Sequence, residues 1–275
     1  MQTAVSKEIN GMKFKYFISD LLGSNSVGKN EEWEPHIFNF VRLYNSTHNC
    51  RDIVDVGANF GYHTLFFSRE CTGNVHAFEP QVQNFGLLND NVEINNTKNI
   101  VTYNNACGED NSEIKMPIIN DSYHMHNMGD ITPNLFNGNN YSTVKSVRLD
   151  DIKFSSNVDL IKIDVQGWEK KVLKGAVNLL RVNKPVLIVE FENFQLQKTG
   201  TTCKELFDYI RDQNYYIFYL EYQYPCDHVC VHNDNLGNFR LKFKDYIFPH
   251  TCNNDLNNNL LNGVNEKISE YYTKK

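Results

Sequence analysis

Between residues 52 and 220, short apolar runs alternate with stretches whose apolar positions recur every three or four residues. The runs DIVDV (52–56), NVHAF (74–78), NIVTYNN (99–105), VDLIKID (158–164), PVLIVEF (185–191) and YYIFYL (215–220) read as strands. PVLIVEF is almost continuously apolar, as expected for a strand buried on both faces of a parallel sheet. Helices are expected over 62–70, 81–95, 167–180 and 203–214; in the second, Val82, Phe85, Leu88 and Val92 fall on one side. Alternation of this kind means βαβ units with right-handed crossovers, and so a mostly parallel sheet with helices on both faces.

Three segments fall outside that rhythm. Residues 1–30 carry weak periodicity and end in the loop-like GSNSVGKN, after which EEWEPHIFNFVRLY places Trp33, Ile37, Phe40 and Tyr44 at helical spacing. Residues 1–50 therefore read as an N-terminal helical extension. Residues 110–157 interrupt the alternation with MPIIND, the loop SYHMHNMGDITPNLFNGNN and a strand, TVKSVRL. An excursion of that length inside a compact fold is more often functional than filler, and acceptor binding is its expected role. Residues 249–275, with NNDLNNNLLNGVN, read as a polar, asparagine-rich tail. The alternating unit is then a domain over residues 51–248.

Bulk properties narrow the partners. The chain has 275 residues, 41% of them apolar, and a net charge of -6 from Lys+Arg 27 against Asp+Glu 33. A nucleic-acid backbone calls for a basic surface, so nucleic acid is an unlikely partner. No run of eighteen apolar residues suggests a membrane span, and the N-terminus lacks the apolar core of a signal peptide, so a cytoplasmic location is expected. Seven irregularly spaced cysteines favour thiols over a disulfide framework. Cys226, His228, Cys230 and His232, with His250 and Cys252, are residue types that zinc accepts, but the spacing is loose and VCVH equally fits a plain strand.

The chemistry concentrates at the ends of the strands. Ligands of doubly wound sheets sit outside those carboxyl ends. DVGANFG there offers Gly57, free to adopt positive φ, and Gly61, which lets the next helix begin close to the sheet. Glu79 ends the second strand, placed to accept hydrogen bonds from a ribose diol, with Pro80 stiffening the turn beside it. A dinucleotide site would carry G-x-G-x-x-G, and this loop does not. Asp55 would repel a pyrophosphate and suits a ligand with an ammonium group. S-adenosyl-L-methionine has an ammonium, a carboxylate, a ribose diol and no phosphate.

DVGANFGYHTL, AFEP followed by LLNDNVEIN, NNACGE, LIKIDVQGWEKKVLKGA and VLIVEFE together resemble the FkbM family of S-adenosylmethionine-dependent methyltransferases. The resemblance runs from about Asp52 to Glu192. It implies a Rossmann-like methyltransferase fold, usually of seven strands with the last antiparallel, and O-methylation, often of sugars or natural products. It also implies that Asp55 and Gly57 line the methionine end of the cofactor with Asn59, Gly61 and Tyr62 closing over it, and that Ala106 and Cys107 lie along the adenine. One departure is visible: the family often has Asp-Val-Glu-Gly where this chain has Asp164-Val165-Gln166-Gly167.

Asp164 and Glu190 end adjacent strands and are the expected catalytic acids, Asp164 as base or as orienting group. Glu192 follows on the same strand. With a histidine such as His124 or His126, Asp164 and Glu190 could instead hold a divalent metal, the less favoured alternative. Trp168 and Phe194 could stack on a sugar face, although Trp168 equally suits the core. The expected acceptor is a sugar, glycan or small molecule; an RNA methyltransferase and a non-catalytic cofactor-binding relative are the alternatives.

Overall fold

The computed structural model of the chain describes residues 2–6, 8–20, 23, 26–118, 140–220 and 226–243. His124, His126, His250, Cys252, the side chain of Cys226 and the asparagine-rich tail lie outside the described residues.

The chain opens with an antiparallel ribbon, β1 (Thr3–Val5) and β2 (Lys15–Phe17), which the weak periodicity of this region did not reveal. Helix α1 (Pro35–His48) begins at a proline, whose missing N–H costs nothing in a first turn. Trp33 therefore stands before the helix rather than on its apolar stripe. Ile37, Phe38, Phe40, Val41 and Tyr44 bury the inner face.

Each expected strand of the alternating region is present. They are β3 (Asp52–Val56), β4 (Val75–Phe78) and β5 (Ile100–Tyr103), then, after the excursion, β9 (Val158–Ile163), β10 (Val186–Phe191) and β11 (Tyr215–Tyr219); a seventh strand, β12 (Cys226–His232), joins these six. Their order across one seven-stranded sheet is β11-β12-β10-β9-β3-β4-β5. The four pairings among β5, β4, β3, β9 and β10 are parallel, whereas β12 runs antiparallel to both β10 and β11. Leu187, Ile188 and Val189 at the sheet centre are wholly buried. Each such side chain contributes about 1.5–3 kcal/mol relative to exposure. His228 and Cys230 pair with Val189 and Leu187 and are buried, so the stretch VCVH is indeed a strand.

The crossovers are α2 (Tyr62–Glu70), α3 (Val82–Ile94), α4 (Glu169–Lys174) and α5 (Val177–Asn183). They are followed by α6 (Asn193–Lys198), α7 (Cys203–Asp212) and α8 (Leu236–Phe243). A single helix was expected over 167–180. It breaks at Gly175, where a Cβ would lie 1.9 Å from the carbonyl oxygen of Gly108. β6 (Ala106–Cys107), just before the excursion, and β7 (Glu113–Pro117) and β8 (Tyr141–Val147), within it, form a three-stranded sheet with β8 in the middle. Among the described residues no helix is long and apolar enough to cross a membrane.

Candidate active site

Strand register gathers the acids. Asp55 of β3 lies beside Lys162 of β9, Ile163 beside Val189 of β10, and Glu190 beside Asp227 of β12. Successive side chains alternate between the faces of a sheet. Asp55, Lys162, Asp164, Glu190 and Asp227 thus share one face at the carboxyl end of the parallel strands. The starts of α1 and α2 meet the same edge. His36 Nε2 is 2.7 Å from Asp227 Oδ2, and His63 Nε2 is 3.2 Å from Glu34 Oε2.

The glycine loop is packed too closely for any side chain at its first turn. Gly57 has φ +86, and a Cβ there would stand 1.9 Å from the backbone oxygen of Asp164. Gly61 has φ +89 and meets Leu88 of α3. Asn59 takes φ 52, and its N–H donates to Glu79 Oε2 at 2.8 Å. The N–H of Gln81, on the far side of Pro80, donates to Glu79 Oε1 at 2.8 Å. One carboxylate therefore clamps two loops, and lone pairs remain on each oxygen for further donors. Burial raises the Glu79 pKa to about 7 against these two bonds. Asp55 is wholly buried: Thr64 Oγ1 donates to its Oδ2 at 2.5 Å, and its Oδ1 has no partner. Tyr62 is buried against Phe14 and Phe38, and its hydroxyl accepts the N–H of Trp33 at 2.9 Å. Ala106 and Cys107 are buried, and burial holds the Cys107 thiol well above its ordinary range, so it is inert.

Asp164 is the most heavily engaged acid. Lys162 Nζ donates to its Oδ2 at 3.0 Å and Gln166 Nε2 to its Oδ1 at 3.3 Å. Glutamine suits this position, since a glutamate there would repel Asp164 rather than bond to it. Burial pushes the Asp164 carboxyl up, but the Lys162 ammonium more than reverses this and holds it below the usual range. Glu190 goes the other way. Burial, then the negative charges of Asp164, Glu192 and Asp227, raise it well above the ordinary value, which favours its protonated form within hydrogen-bonding reach of Asp164. Its Oε2 has no partner. Burial holds His63 neutral, with a pKa of about 3.

Several residues of this edge escaped the sequence reading, His63 and Glu34 among them. Lys162 had a signal: a lysine inside an apolar strand run, two residues from an acid on the same face. Asp227 stood within the stretch weighed for zinc and was passed over for its cysteines and histidines. Glu169 is buried; its Oε1 accepts the N–H groups of Val165 and Gly167 at 3.1 Å, tying down the loop after β9. His36 reaches the site only through the packing of α1, and its local sequence carries no sign of it. Trp168 is a core residue, 8% exposed, with Lys171 Nζ 3.4 Å over its ring. Phe194 is 42% exposed just past the end of β10.

The site fits an adenosyl ligand bearing a positive sulfur. A buried carboxylate oxygen without a partner and a twice-bonded glutamate with spare lone pairs are what a sulfonium and a diol would meet. Among the described residues no group of three or more His, Cys, Asp or Glu side chains is placed to hold a metal ion.

The model of the methyltransferase FkbM domain matches residues 55–217, more than half of the chain. No protein of curated function matches it in sequence. Among solved structures, the methyltransferase FkbM from Methylobacillus flagellatus KT is similar at 17% identity and TM-score 0.47, over 66% of this chain and 44% of that one. This chain thus spans less than half the length of that relative. An O-methyltransferase from Bacillus cereus in complex with SAH is similar at 14% identity and TM-score 0.49, over 74% and 83% of the two chains. TYW2 from M. jannaschii in complex with AdoMet is similar at 14% identity and TM-score 0.42, over 83% and 84%.

Proposed function

The chain belongs to the FkbM family of S-adenosylmethionine-dependent methyltransferases, and on that premise we propose that it O-methylates a hydroxyl of a sugar, glycan or related polyhydroxylated small molecule. S-adenosylmethionine, when bound, supplies a methyl group on positively charged sulfur. Asp55, Gly57, Asn59 and Gly61 form the methionine end of its site, with Tyr62 supporting that end from the packed side. Glu79 receives the ribose hydroxyls, and Pro80, Ala106 and Cys107 border the adenine.

Asp164 is the proton acceptor. A hydroxyl must lose its proton in being methylated, and a carboxylate at the strand end takes it. Lys162 keeps that carboxylate ionised, so it is ready at neutral pH. A low pKa is no obstacle, because an alcohol oxygen becomes strongly acidic as it is alkylated. Glu190, which carries its proton, orients the acceptor through its second oxygen. The observation that supports this reading best is geometric: Lys162 Nζ lies 3.0 Å from Asp164 Oδ2 at the end of β9, and Glu190, its Oε2 without a partner, stands at the end of the adjoining strand β10. Carboxyl groups on three consecutive strands, Asp164, Glu190 and Asp227, can accept from several hydroxyls of one molecule. Phe194 adds an apolar surface at the rim for a sugar face, with Lys198 Nζ 4.3 Å over its ring. The excursion over 110–157 is assigned to acceptor binding and residues 51–248 to the methyltransferase domain.

A transfer assay with methyl-labelled cofactor against a panel of glycans, polyol natural products, lipids, RNA and proteins tests the acceptor class. Label in a base-stable ether of a polyhydroxylated acceptor is expected. Label confined to RNA or to protein would overturn the assignment.

A further inference from the structure

Lys162 is 2% exposed, in the interior of β9, in a position where an unpaired ammonium would be expelled or neutralised. It stays charged because acids surround it from five elements. Asp55 faces it from β3, Asp164 from the end of its own strand, Glu190 and Asp227 from β10 and β12, and Glu34 from the start of α1. His36 and His63, from α1 and α2, Glu79 at the end of β4, Glu169 at the start of α4 and Glu192 after β10 complete the ionisable groups of this edge. Burial lowers the ammonium's pKa, and Asp164, Asp55, Glu34 and Asp227 outweigh that effect. The direct bond is to Asp164, at 3.0 Å.

We propose that Lys162 is the fixed cation of this active site: it holds Asp164 ionised and sets the charge that a cationic ligand meets at the strand ends. This has a consequence for charge balance. The Lys162–Asp164 pair is neutral, which leaves Asp55, whose Oδ1 has no partner, and Glu79 as the buried carboxyl groups beside the glycine loop. A sulfonium then enters an edge that is negative, but not so negative that the product, a neutral thioether, is left in an unbalanced site. The proton taken up by Asp164 replaces the positive charge that the sulfur has lost. Lys162 is therefore a positioning residue, acting through Asp164.

The inference rests on this edge being the cofactor's site, and its test uses binding rather than turnover. The probes are S-adenosylmethionine, a cation, and S-adenosylhomocysteine, its neutral counterpart. Their dissociation constants are measured by calorimetry from pH 6 to 9 for wild type and for Lys162→Met, a neutral side chain of similar length. Wild type should show only the modest rise in preference for the cation that Glu79 brings as it ionises near pH 7. In Lys162→Met, Asp164 loses its counter-ion, so the preference for the cation should climb with pH, reaching at least about tenfold above wild type, since a unit charge within about 12 Å at an effective dielectric near 20 has that effect or a larger one. A purely structural role would weaken both ligands alike and leave their ratio unchanged at every pH. That result overturns the proposal. Lys162→Ala supplies a second arm. 1-Butylammonium in the buffer should restore the wild-type ratio while 1-butanol does not, and equal effects of the two would also overturn it. Failure of wild type to bind either ligand would remove the reading of the site, and this proposal with it.

Discussion

Two carboxylates decide the chemistry at the level of single residues. Replacing Asp164 by asparagine preserves shape and removes the proton acceptor. Single-turnover methyl transfer should fall by about 100- to 10,000-fold, the range for losing general base catalysis. The dissociation constant for S-adenosylhomocysteine should change far less, because Asp55 and Glu79 are untouched. A fully active Asp164→Asn variant would move the chemistry to Glu190 or to Asp227 with His36. Glu79 makes a second, pH-dependent prediction. Its pKa of about 7 lies above the ordinary 4.5, so the unliganded site is part-protonated near neutrality. Ribose hydroxyls donate best to the carboxylate, so cofactor affinity should weaken as pH falls below about 7, approaching tenfold per unit. Glu79→Gln should abolish that dependence. A flat pH profile in wild type would contradict the ribose role.

At the scale of elements, the strands were the most legible feature, because a buried parallel strand writes itself as a run of Val, Ile and Leu. The helices were legible where their stripe was apolar and misjudged where close approach intervened. Gly175 divides α4 from α5 because the backbone of Gly108 lies where its side chain would be, and no periodicity reports a contact between segments 67 residues apart. The N-terminal ribbon was missed for a similar reason. It is fastened by polar side chains rather than by alternation: Asn91 of α3 accepts from the N–H of Lys15 at 2.6 Å and donates to the carbonyls of Lys15 and Phe60. Two glycines test this account of local geometry. Gly57→Ala must hold a side chain at φ +86 against the carbonyl of Asp164, and should lose at least about 1–3 kcal/mol in urea unfolding. Gly86, within α3, has nothing within 4 Å of a Cβ, so Gly86→Ala should gain about 0.5–1 kcal/mol. An unchanged midpoint for Gly57→Ala would show that the turn tolerates a side chain.

For the whole molecule, the parts of the candidate site that lie within one loop or at one strand end were readable, and the parts assembled from several elements were not. Gly57, Gly61 and Glu79 follow from one loop and one strand end in sequence. Lys162, Asp227, His36 and His63 come together only when β9, β12, α1 and α2 are assembled. That assembly buries acids, and burial has a global signature. Glu79 and Glu169 are both raised to about 7 from 4.5. Between those values the unfolded chain has lost protons that the folded chain keeps, so these two groups make stability fall as pH rises from about 4.5 to 7. The unfolding midpoint of the ligand-free protein should therefore be higher near pH 5.5 than at pH 8, and Glu79→Gln should flatten the difference. A midpoint that rises steadily across this window would contradict the burial of these carboxyls. In the proposed function the carboxyl edge of the sheet receives an adenosyl sulfonium between Asp55 and Glu79, where the acids would repel a pyrophosphate. Titration calorimetry with S-adenosylmethionine, S-adenosylhomocysteine and NAD tests this: saturable binding of both adenosyl ligands, weakened by Glu79→Gln, and none of NAD is expected, whereas binding of NAD without response to either adenosyl ligand would overturn it.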